Sequence, residues 1–216
     1  MRQPLEIIEE LRLPKVHGVL QIGANAGQEI PYFLEHGIAY GAFVEPLDEP
    51  FSNLCARCAG ATGYLPIKAL CGSVDMQLVD FHVASNHGGS SSILKPANHL
   101  TDYPWVQFIS TEKMHTFTLD RIYNSIASTR PEIAEAIDLL FMDVQGAELE
   151  VVKGGNSVLN RVRYIYTEVG IGGGYEGDVE LIVLMQYLRT YGFKLYELEI
   201  GATGWGNAFF IKRDDR

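Results

Sequence analysis

The order of apolar runs constrains this chain more than any single residue does. Residues 16–22, 40–44 and 62–70 are short apolar runs, with helical patterns at 30–37 and 49–59 between them. A strand-helix-strand-helix-strand order implies a parallel sheet with right-handed crossovers. The alternation resumes at residues 137–142 and 162–167 and leads into a helix carrying Leu181, Leu184, Met185 and Leu188 on one face. Residues 193–200 and 207–212 are two adjacent strands joined by a Gly-rich connection, which reads as an antiparallel hairpin. The expectation is one α/β domain over residues 1–216. Its core is a doubly wound, Rossmann-like, mostly parallel seven-stranded sheet with a C-terminal antiparallel hairpin and an insert after the third strand. Residues 1–15 form a lead-in helix that stops at Pro14.

The insert covers residues 74–118. Residues 74–83 look extended, 84–92 are a polar Gly/Ser loop, 93–112 carry no clear period and 114–118 are extended again. Phe81, Ile93, Trp105 and Phe108 are out of place in a linker, so the insert is expected to line an acceptor site. A helix is expected from Leu119 to about Ile126, and another over residues 148–153.

Composition narrows the partners. Hydrophobic residues make up 47% of the chain and charged residues 20%, enough for a packed core and unlike a disordered segment. The formal charge is −10, which argues against a nucleic-acid backbone or an anionic membrane as the partner. A small ligand or a neutral polar substrate is left open, as is a homo-oligomer. The start, MRQPLEIIEELRLPK, puts acidic residues where a signal peptide needs an apolar core, and no apolar run approaches the about 20 residues needed to span a bilayer. The expected compartment is cytoplasmic. Cys55 and Cys58 have CxxC spacing but match the buried stripe of a helix with Phe51 and Leu54, and no second pair follows. They and Cys71 read as plain thiols.

Four pieces carry chemistry. The first strand breaks into Gly23-Ala24-Asn25-Ala26-Gly27 before a helix. Glycine there allows a tight turn and close approach of a ligand, and free amides at the turn would favour an anion or carboxylate. Glu45-Pro46 ends the second strand, where an acid in a doubly wound fold accepts hydrogen bonds from the ribose of an adenosine ligand. Such bonds are worth roughly 1.5–3 kcal/mol each, a large share of the about 8 kcal/mol of micromolar binding. Asp143-Val144-Gln145-Gly146-Ala147-Glu148 follows the fourth parallel strand, at the crevice where open sheets bind ligands. Asp143 there suits a cationic group or a base; Glu148 suits a helix cap or a partner inside the wall. Glu168 ends the fifth strand and should face the same crevice as Asp143. Two carboxylates there raise one pKa or share a divalent cation, but no third ligand follows from the spacing and no metal is expected.

These strings resemble the FkbM-type family of class I S-adenosylmethionine-dependent methyltransferases. The resemblance runs over about residues 16–168. It rests on Gly23–Gly27, Glu45-Pro46, Ala69-Leu70-Cys71-Gly72, Ser90-Ser91-Ser92, Thr118-Leu119-Asp120, the run from Ile137 to Glu148, and Glu168. It implies S-adenosyl-L-methionine as cofactor and methyl transfer to a hydroxyl oxygen. By matched position, Gln21, Gly23, Asn25, Gly27, Glu45, Pro46, Leu70, Ser91 and Asp143 would border the cofactor, with Glu45 on the ribose and Leu70 near the adenine. Gln21 stands where the family often has Asp and brings no charge. Gln145 stands where the family has an acid, and no role is assigned to it.

A methyl on a sulfonium is already activated, so alignment of the acceptor oxygen is the main task, with a general base adding about 10²–10⁴-fold. The base candidates are Asp143, Glu168 and the insert histidines His82, His87, His99 and His115. His87, in the Gly/Ser loop, is the preferred histidine, and His115 reads as a core residue. Tyr103, Trp105, Phe108 and Tyr175 are candidates for an acceptor wall, and residues 170–177, with five glycines, for a mobile flap. Two alternatives stay open: an NAD(P)-dependent oxidoreductase, against which the missing GxGxxG counts, and a non-catalytic adenosyl-ligand-binding protein.

Overall fold

A computed structural model describes residues 2–171 and 173–213. Helix α1 (Pro4–Glu10) precedes β1 (Gly18–Ile22), α2 (Ile30–Glu35), β2 (Tyr40–Val44), α3 (Asp48–Cys58) and β3 (Tyr64–Ile67). Then come β4 (Leu70–Gly72), β5 (Leu78–Ala84), α4 (His99–Asp102) and β6 (Phe108–Thr118). Helices α5 (Leu119–Thr129) and α6 (Pro131–Ala136) lead to β7 (Ile137–Met142), α7 (Glu148–Lys153), α8 (Asn156–Arg161) and β8 (Tyr164–Gly170). The chain closes with α9 (Leu181–Arg189), β9 (Phe193–Ile200) and β10 (Trp205–Lys212).

The main sheet has seven strands in the order β3-β2-β1-β7-β8-β10-β9, and β10 runs antiparallel to both its neighbours. The order reverses between β1 and β7, which places a crevice at their carboxyl ends. Both strands are buried along their whole length, as continuous apolar runs covered on two faces must be. Period-2 alternation sends Leu20, Ile22, Leu140 and Met142 into a core with α5 to α9. Val19, Phe43, Leu139 and Phe141 go to the opposite core, with α1, α2 and α3.

The expected third strand, residues 62–70, splits. β3 ends at Ile67, and Leu70 starts β4, which leaves the main sheet to pair with β6. β4, β6 and β5 form a separate three-stranded sheet, the base of the insert. β6 escapes a sequence reading over residues 108–113 because most of its first half is exposed and shows no alternation. The six-residue helices α6 and α8 are also absent from the expected pattern. Leu34, expected on the packed face of α2, is 48% exposed, and His115, expected in the core, is exposed on β6.

The Thr118-Leu119-Asp120 string has a structural origin. Thr118 Oγ1 accepts from Arg121 N at 3.2 Å and caps α5. Asp120 Oδ1 accepts from Ser157 N and Val158 N at 2.9 and 3.0 Å and ties down the start of α8. All three cysteines are free, and burial pushes the thiols of Cys58 and Cys71 up to about 11 and about 12, away from reactivity. Among the described residues, no group of three His, Cys, Asp or Glu side chains is placed to hold a metal ion. Among them, too, no helix is long and apolar enough to cross a membrane.

Candidate active site

The turn after β1 is built by backbone geometry. Gly23 has φ +80°, and a Cβ there would lie 1.8 Å from the carbonyl oxygen of Asp143. Only glycine lets the turns after β1 and β7 pass so closely. The amides of Gly23 and Ala24 both donate to Val44 O, at 3.0 and 2.9 Å. Asn25 N donates to Glu45 Oε2 at 3.0 Å, and Ala26 N to Asn25 Oδ1 at 2.7 Å. The expected set of free amides for an anion is therefore already engaged inside the protein. Gly27 is also structural. Its φ is +77°, a Cβ would press on Ile30 and Leu54, and it does not line the cavity.

The crevice holds a cavity of about 190 Å³. Gly23, Asn25, Glu45, Pro46, Leu70, Ser91 and Asp143 all line it, as the matched positions imply. Gln21 does not. Its side chain lies on the α2 side of the sheet and donates Nε2 to Glu29 Oε2 at 2.9 Å, one layer behind the wall that Glu29 forms. Leu70, Cys71, Phe81 and Ile93 make an apolar side.

Glu45 is 4% exposed. Its Oε1 accepts from Leu47 N at 2.9 Å while Oε2 takes Asn25 N. Burial outweighs these bonds and pushes its carboxyl up to about 7. Each oxygen keeps a second lone pair for a ligand hydroxyl.

The Gly/Ser loop closes one side through named contacts. Asn25 Nδ2 donates to His87 O at 2.9 Å, so His87 contributes its carbonyl; its ring is exposed and does not line the cavity. Ser91 Oγ accepts from Ala84 N at 3.0 Å, and Ser92 Oγ donates to Gln145 O at 2.8 Å. Ser90 Oγ meets His99 Nε2 at 3.0 Å. His99 is the buried histidine of the insert, and burial lowers its pKa.

At the floor, Asp143 and Glu168 come together, though Glu168 itself is not on the cavity wall. The two carboxyls lie against each other and both bond the amide of Gln145. Burial raises Asp143; burial and the charge of Asp143 raise Glu168 well above the usual range. Glu148, behind them, accepts from Gly146 N at 3.2 Å and is pushed up to about 7 by burial. It pairs inside the wall, as its position in the sequence implied.

The segment 170–177 is not an open flap in this conformation; Gly172 lies outside the described residues. Asp178 accepts from the amides of Gly173, Gly174 and Tyr175 at 2.9–3.2 Å, and Ala97 N and His99 N donate to Gly174 O. Tyr175 is 1% exposed, packs on His99, Phe108 and Trp205, and does not line the cavity. Neither do Tyr103, Phe108 and Trp105, the last being 73% exposed.

Charge decides what this cavity accepts. Glu29, Glu45 and Asp143 line it, and no Lys, Arg or His does among the described residues. The turn amides that would hold a dinucleotide's pyrophosphate are engaged inside the protein, and three carboxyls line the cavity, which counts against the oxidoreductase reading. The profile of the methyltransferase FkbM domain matches residues 21–195. The chain belongs to the FkbM methyltransferase family. It is an S-adenosylmethionine-dependent methyltransferase. The chain is 31% identical over 179 residues to the 2-O-methyltransferase NoeI of Sinorhizobium fredii, covering 80% of this chain and 71% of that one. Solved structures share the fold. A SAM-dependent methyltransferase from Aquifex aeolicus is 13% identical with a TM-score of 0.50, covering 95% of this chain and 87% of its own. The human methyltransferase 10 domain containing protein is 14% identical with a TM-score of 0.50, over 96% and 77%.

Proposed function

We propose that this family member methylates a hydroxyl oxygen of a small metabolite or sugar, with the Asp143–Glu168 pair as the proton acceptor. The observation that carries the reading is the pair itself: two touching carboxyls, one of them on the cavity wall, with Asp143 raised by burial and Glu168 raised by burial and by the charge of Asp143. A carboxyl with a raised pKa is matched to taking a proton near neutral pH. The name of the NoeI relative supports oxygen as the atom that receives the methyl.

S-adenosylmethionine, when bound, supplies a methyl group on a positively charged sulfur. Glu45 holds the ribose hydroxyls, Gly23, Asn25 and Pro46 border the cofactor, and Leu70 packs on the adenine. The acceptor enters from the insert side, past residues 88–93. The acceptor hydroxyl would give its proton to the carboxyl pair through Asp143, the member on the cavity wall. His87 drops out as base, because its ring is exposed and off the cavity wall. The reading places the enzyme in the cytoplasm, where three unpaired thiols stay reduced.

The test is incubation with ¹³C-methyl S-adenosylmethionine and a panel of sugars and other hydroxylated metabolites, read by NMR. A labelled methyl ether is expected. A labelled N-methyl or C-methyl product would overturn oxygen as the acceptor. Cofactor binding with no transfer to any member of the panel would favour the non-catalytic ligand-binding reading.

A further inference from the structure

Gln145 stands where four parts of the chain meet. Its backbone is left-handed, with φ +54°, a conformation uncommon outside glycine. Its Nε2 donates to Asp143 Oδ1 at 2.7 Å and to Glu168 Oε2 at 2.5 Å. Its Oε1 accepts from the Tyr175 hydroxyl at 3.1 Å, and its carbonyl accepts from Ser92 Oγ. The Tyr175 hydroxyl has one hydrogen, shared between Gln145 Oε1 and the nearer Ser90 O at 2.8 Å. An amide nitrogen has two hydrogens, and both are spent on the carboxyl pair. The amide oxygen is fixed from the 173–178 segment, and that segment is held by Asp178.

We propose that Gln145 is a positioning residue that holds Asp143 and Glu168 together as one proton-accepting pair, and that Tyr175 locks the orientation of its amide. The proposal rests on the reading of that pair as the proton acceptor. Every titratable group facing the pair from the neighbouring elements is acidic or neutral. Glu29 faces it from just before α2, Glu45 from the end of β2 and Glu148 from the start of α7. Tyr175 faces it from the 173–178 segment, and neutral His99 stands behind Ser90. All the acidic neighbours favour protonation of the pair, and with it loss of the base. Two N–H donations from Gln145 favour the ionised form and oppose that rise. A carboxyl side chain at 145 would remove both donors and add another repelling charge.

The test is ¹³C NMR titration of side-chain carboxyls in the cofactor-free protein, alongside the pH profile of kcat, for wild type, Gln145→Met and Tyr175→Phe. The wild type should show a carboxyl step above the ordinary range, assigned to the pair by loss in Glu168→Gln. Gln145→Met should move that step up by about one pH unit. The acidic limb of kcat should move with it, so turnover falls up to about tenfold per unit on that limb and recovers at alkaline pH. Tyr175→Phe should shift both in the same direction by less, and it carries the test if Gln145→Met does not fold. Lower kcat at every pH with the carboxyl step unmoved would overturn the positioning role. A carboxyl step that moves while the kcat limb stays put would leave Gln145 in its role and instead remove the pair as proton acceptor.

Discussion

The two halves of the crevice are built in different ways. The half at the ends of β1 and β2 is held mainly by backbone groups of those two turns: the Gly23 amide donates to Val44 O, and Glu45 accepts from Asn25 N and Leu47 N, with one bond from Asn25 to the insert at His87 O. The half at the ends of β7 and β8 is joined by side chains from distant parts of the chain. Gln145 joins Asp143 to Glu168, and the Tyr175 hydroxyl meets both Gln145 and Ser90, the latter 85 residues from Tyr175 in sequence. The proposed cofactor contacts lie in the first half, and the proposed proton acceptor lies in the second, which is braced by the insert and the 173–178 segment.

The sharpest way to break this division is Gly23→Ala. The added Cβ meets Asp143 O and demands a left-handed alanine, so both halves should fail together. The expected cost is about 3 kcal/mol of folding stability, seen in urea melts, with S-adenosylhomocysteine binding lost. Normal stability and binding would mean that the two turns do not pass as closely as described. Glu45→Ala should damage only the first half. It should weaken S-adenosylhomocysteine about 10–100-fold by calorimetry, the equivalent of about 1.5–3 kcal/mol. Unchanged affinity removes Glu45 from the cofactor site.

Asp178→Ala is the matching lesion in the second half. Three amides of the segment lose their acceptor, and Tyr175 loses its hold on Gln145. The acidic limb of kcat should move up, as is expected for Tyr175→Phe, with S-adenosylhomocysteine affinity within about twofold of wild type. A comparable loss of S-adenosylhomocysteine affinity would show that the halves are coupled.

The remaining effect is on pH. Glu45 and Glu148, each pushed up from 4.5 to about 7 by burial, keep protons in the folded chain that the unfolded chain releases. Their contribution to stability is therefore intact below about pH 4.5 and is lost as pH rises through about 7. Each is worth at most about 3 kcal/mol. Melting temperature of the cofactor-free protein should fall between pH 5 and 8, and Glu45→Gln should flatten that fall. A wild-type profile rising over this range would contradict the buried, unpaired state of these carboxyls.

The same contrast explains what the sequence made legible. β2 and β7 appear with the bounds their apolar runs imply, because each run is continuous and ends at a charged turn, and β9 appears because its mixed strand is bounded by Gly192 and Gly201. Gly23, Asn25, Glu45, Leu70 and Asp143 reach the cavity because each sits at the tip or start of such a strand. Gln145 was legible only as a departure from an acid, since its role depends on Glu168 and Tyr175, which no local spacing ties to it. Ser90, Ser91 and Ser92 were visible as a tract, but the bonds that use each hydroxyl join parts of the insert to β5 and the turn after β7. His87 failed for the opposite reason: its place in the loop was right, but its left-handed backbone presents the carbonyl and leaves the ring in solvent.

The central claim is that a crevice whose described lining carries three carboxyls and no cationic side chain takes an adenosyl amino acid and not a dinucleotide. Calorimetry of the cofactor-free chain against S-adenosylmethionine, S-adenosylhomocysteine and NAD at neutral pH tests it directly. The account predicts micromolar binding of the first two and no heat with NAD. Binding of NAD with affinity equal to or above that of S-adenosylmethionine would contradict it.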